Sequence, residues 1–77
     1  MNLTDYQIAK IDERLQKEDD TAGYTFSEIY SQSSTWGYWL IVTNEKNEKL
    51  EVHVKLEVSA RINGGALYIV LTDVNEL

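Results

Sequence analysis

The stretch Leu50-Glu51-Val52-His53-Val54-Lys55-Leu56-Glu57-Val58 decides the fold. Apolar and polar residues alternate through it without error, which is the period of a strand with one buried face. Leu50, Val52, Val54, Leu56 and Val58 are therefore expected in the core, and Glu51, His53, Lys55 and Glu57 outside it.

Working outward, Asn44-Glu45-Lys46-Asn47 reads as a type I turn closed by Asn47 in the left-handed region, a common hairpin connection. Pairing Asn44 with Glu48 places Val42 opposite Leu50, Leu40 opposite Val52 and Tyr38 opposite Val54. The preceding run Gly37-Tyr38-Trp39-Leu40-Ile41-Val42-Thr43-Asn44 is aromatic and β-branched, giving a strand over 37–44. Its alternation, carried one residue further back, turns Trp36 toward Leu56 and the core side. Beyond the deciding stretch, Asn63-Gly64 is the dipeptide preferred in two-residue hairpins. It pairs Ile62 with Gly65, and so Ala60 with Leu67, Val58 with Ile69 and Leu56 with Leu71. The strands then run over 48–62 and 65–73, and both turns keep the apolar residues on one face.

Thr4 followed by Gln7 is a capping box, with Leu3 and Ile8 placed as a hydrophobic staple, so a helix starts at Asp5. Ile8, Ile11 and Leu15 make its apolar stripe, while Glu13 to Lys17 and Arg14 to Glu18 are favourable four-residue pairs. Its end is expected near Asp19, with Gly23 the nearest breaker. Residues 24–33 carry a second capping-box spacing, Thr25 to Glu28, but their Ser and aromatic content favours a strand over 25–32. The expected fold is α+β: one N-terminal helix, about 5–19, packed on one face of a three- to four-stranded antiparallel meander, in a single domain over 1–77.

Composition narrows the function. At 77 residues the chain buries only about 60–65% of its unfolded surface. With no cysteine it has no disulfides, no thiolate metal site and no thiol nucleophile. Seven Lys and Arg against 13 Asp and Glu give a net charge of −6, the wrong sign for a phosphate-binding surface, so no direct nucleic-acid binding is expected. The N-terminal residues lack the pattern of a secretory signal and no apolar run approaches about 18 residues, so we expect a cytoplasmic protein with no membrane segment. His53 is the sole histidine; without partners in the sequence pattern it reads as a surface residue, neither a catalytic base nor a metal ligand. Asp12-Glu13 and Asp19-Asp20 lack the alternating oxygen ligands and central glycine of a calcium loop. Gly64-Gly65 is followed by neither lysine nor helix and reads as a turn, not a phosphate cradle. No catalytic, cofactor or metal site is expected.

Two surfaces remain. The sheet face away from the helix should display Trp39, Ile41, Thr43, His53, Glu57, Tyr68 and Val70, too apolar for a plain solvent face and rich in residues that dominate interfaces. Asp5, Asp12 and Asp19 recur every seven residues and, extended by Asp20 and Glu13, should form an acidic ridge on the helix, apart from Lys10, Arg14 and Lys17. The expected function is a small, non-enzymatic protein-binding module, an inhibitor or modulator docking on a basic surface of a larger protein through Trp39, Ile41, His53, Tyr68, Val70, Asp5, Asp12, Asp19 and Asp20. In composition alone it resembles small acidic phage and mobile-element products that block host nucleases. The other expectation is a self-associating module, a homodimer through the outer sheet face or an edge strand.

Overall fold

The computed structural model describes residues 3–33, 35–59 and 66–77. Helix α1 spans Asp5–Leu15, and strands β1 (Thr25–Ser33), β2 (Gly37–Thr43), β3 (Lys49–Ser59) and β4 (Ala66–Glu76) follow. They form one antiparallel sheet in the order β1-β2-β3-β4. The α+β expectation holds, with the fourth strand present. The helix approaches both edge strands, β1 and β4, so the sheet curls about it. Ile11 and Leu15 are thereby sealed against Leu40, Val42, Val52 and Val54 in a core where all six side chains are lost to solvent. Among the described residues no helix is long and apolar enough to cross a membrane.

The capping box forms as its residues dictate: the Gln7 N–H donates to Thr4 Oγ1 at 3.1 Å, and the Thr4 N–H to Gln7 Oε1 at 2.9 Å. The helix stops at Leu15, short of Asp19. Side chains explain the early stop. Buried Thr21 donates to the Leu15 carbonyl at 2.7 Å, and Gln16 reaches forward to accept from the Gly23 N–H and donate to the Tyr24 carbonyl, both at 2.8 Å. These bonds satisfy groups that a further helical turn would have used. Arg14 still pairs with Glu18 at 3.0 Å and Lys17 with Glu13 at 3.9 Å.

The β2–β3 register is the expected one, and Asn47 takes φ 64° at its turn. The Asn44 side-chain oxygen accepts from the Lys46 and Glu48 N–H groups, both at 3.0 Å, and locks that turn. The β3–β4 register differs from expectation. Leu56 faces Ile69 and Val58 faces Leu67, a shift of two residues that keeps the side chains as far as Leu71 on their expected faces. The turn expected at Asn63-Gly64 lies outside the described residues. Further along, Val54 pairs with Leu71 but His53 pairs with Asp73, leaving Thr72 as an extra residue, a β-bulge. Edge strand β1 carries two such irregularities, at Ser27 and Tyr30.

Val58 is a second correction, since it is 72% exposed rather than in the core. The last β2–β3 pair is Tyr38 with Val54, so β3 and β4 continue past the sheet as a two-stranded ribbon. Leu56 at its root is half-buried, and Val58, farther out, has no β2 neighbour to cover it.

Candidate protein-interaction surface

Cross-strand pairing sets Trp39 of β2 beside His53 of β3 on the face away from the helix, and the two rings stack with centroids 4.2 Å apart and planes inclined by 24°. His53 is only 9% exposed, contrary to its expected place on the surface. A buried imidazole needs partners for both nitrogens. The bulge supplies one: Thr72, pushed out of the β4 ladder, sets its hydroxyl 2.5 Å from Nδ1 and 3.2 Å from the His53 carbonyl oxygen. The Trp36 carbonyl supplies the other, bonded to Nε2. A carbonyl oxygen can only accept, so Nε2 is the donor in its bond to Trp36.

Those bonds determine where Trp36 goes. Gly37 has φ 99°, and a Cβ there would lie 2.3 Å from the Val54 carbonyl oxygen. The chain enters β2 through a conformation that only glycine adopts readily, pressed against β3, and the alternation that would have turned Trp36 inward ends at that residue. Ser33 Oγ accepts from the Thr35 and Trp36 N–H groups at 3.1 and 3.2 Å. Trp36 thus has its N–H held by Ser33 and its C=O held by His53, while the residue is 65% exposed. Sequence alternation placed Trp36 inside and missed it as a surface residue; the glycine within a strand pattern was the available signal.

The expected outer-face residues divide accordingly. Ile41, at 5% exposure, is buried, as is His53, and Trp39 and Val70 are half-buried, with Trp39 and His53 stacked on each other. Tyr68 stays open at 49%, paired with Glu57 on the ribbon. Trp36 and Tyr68 are among the large apolar side chains that stay exposed.

The acidic ridge is corrected too. Asp19 and Asp20 follow the helix instead of extending it, so the seven-residue spacing places them in no row. Asp12 is half-buried and its Oδ1 accepts from the Phe26 N–H at 2.8 Å, tying α1 to the start of β1. Asp5, Asp19 and Asp20 are exposed. Among the described residues no three His, Asp or Glu side chains converge as a metal site would require. No family model, curated protein or solved structure matches the chain.

Proposed function

We propose that this chain is a non-enzymatic protein-binding module, an inhibitor or modulator that docks on a basic surface of a larger protein with Trp36 as its anchor. One observation carries the reading: an exposed indole stands on a main chain whose N–H and C=O are both hydrogen-bonded, the latter to a buried histidine. Exposed aromatics are common, but an aromatic whose backbone is fixed in advance loses less conformational freedom on binding, and Trp leads among interface hot spots. The net charge of −6, with Asp5 and Asp19 exposed, suits a basic partner and fast, salt-sensitive association.

Affinity capture with immobilised wild type and Trp36→Ala, at low and high salt, tests the reading. A protein held by the wild type should bind Trp36→Ala more weakly by about 2 kcal/mol or more, and associate more slowly as salt rises. Equal retention by both chains would remove Trp36 from the interface and the proposal with it.

A further inference from the structure

Among the described residues the edge of the sheet at β4 has no strand beyond it, and α1 with its trailing turn runs alongside it in the same direction, leaving a trough between them. The trough has two electrostatic halves. Beside Ala66–Ile69, a groove of about 390 Å³ is lined by Lys10, Arg14 and Lys17, with Glu13 among them. Beside Leu71–Val74, a groove of about 300 Å³ is lined by Glu18, Asp20 and Asp73. One half carries a formal +2 and the other −3, although the whole chain is acidic.

We propose that this edge is the interface for a second copy of the chain, paired β4 to β4 antiparallel about a two-fold axis at Val70. A two-fold axis brings the same patch of both copies together and reverses its direction. Centred on Val70, it sets Ala66–Ile69 of one copy opposite Leu71–Val74 of the other, so each cationic half meets an acidic half, twice. A parallel arrangement would set like against like. Edge backbone groups that point away from β3 supply the hydrogen bonds, as in strand addition generally. The Thr72 bulge keeps the regular ladder short, so the charges fix its register. Glu13 lies 4.0 and 3.9 Å from Lys10 and Lys17, and Arg14 of the cationic half pairs with Glu18 of the acidic half at 3.0 Å, so Lys10, Lys17, Asp20 and Asp73 are the charges left for the partner copy.

A charge exchange tests the pairing. Lys10→Glu/Lys17→Glu makes the cationic half acidic, and Asp20→Lys/Asp73→Lys makes the acidic half cationic; both leave the Arg14–Glu18 pair in place. The second variant has a net charge of −6 + 4 = −2, nearer neutrality than the wild type, so relief of overall repulsion and loss of the local match act in opposite directions. Sedimentation velocity over a dilution series should show a wild-type dimer that weakens about tenfold or more as salt rises. Each variant alone should dimerise at least about tenfold less tightly, and an equimolar mixture should restore the dimer, because the two reversed halves then match. A wild type that stays monomeric at every concentration, or a mixture no tighter than its components, would overturn the proposal. Circular dichroism of each variant establishes that it is folded, and the Trp36 capture experiment is independent of the outcome.

Discussion

Replacing His53 by Phe separates what its ring does by stacking from what its nitrogens do by hydrogen bonding. Phe keeps an aromatic ring against Trp39 and removes both polar contacts, those with the Thr72 hydroxyl and with the Trp36 carbonyl. Each is worth about 0.5–1.5 kcal/mol net, so His53→Phe should destabilise the fold by about 1–3 kcal/mol. His53→Ala loses the stacking as well, a further 0.5–1.5 kcal/mol or about that, besides leaving a cavity. The expected order is wild type, then Phe, then Ala, read from urea unfolding followed by far-ultraviolet circular dichroism, which does not rely on the tryptophans being perturbed. In a domain this small such losses are a large part of the total stability. If His53→Phe stayed within about 0.5 kcal/mol of wild type, the two bonds would hold nothing, and the claim that His53 fixes the Trp36 turn would fail.

The two glycines with positive φ should respond unequally to alanine. Gly23, at φ 88°, has open space where a Cβ would go and should cost about 1–2 kcal/mol, whereas Gly37→Ala also drives a methyl into the Val54 carbonyl and should cost more, as denaturation midpoints will show. On β3, Val54→Ala should cost about 2–3 kcal/mol and Val58→Ala under about 0.5, although both side chains point to the same face of the sheet. Similar losses at the two would mean that the ribbon is covered.

These contrasts mark where sequence reasoning succeeds and where it stops. The capping box, the Asn44–Asn47 turn and the alternation of β3 are local codes, and each forms as its residues require. Which face of β3 meets the helix was equally legible. The helix end was not, because Gln16 and Thr21 act through partners six to eight residues away, beyond any cap motif. The β4 bulge left a trace: Leu67, Ile69 and Leu71 alternate, then Val74 arrives one position late. Burial on the outer face was illegible for another reason. Alternation says which side a residue lies on, and says nothing of whether Trp39 will lie flat against His53 or whether Thr72 will cap the ring. Trp36 was misplaced because periodicity was carried through Gly37, where the backbone leaves the extended region.

The most direct test of the account uses the two tryptophans one at a time. In Trp39→Phe the remaining emission comes from Trp36, and in Trp36→Phe it comes from Trp39. The structure requires Trp36, two-thirds exposed, to emit at long wavelength and to be quenched readily by acrylamide, and Trp39, half-buried and stacked on His53, to emit at shorter wavelength and resist quenching. The reverse assignment, a shielded Trp36 and an open Trp39, would contradict the stacking of Trp39 on His53 and the Trp36 anchor together.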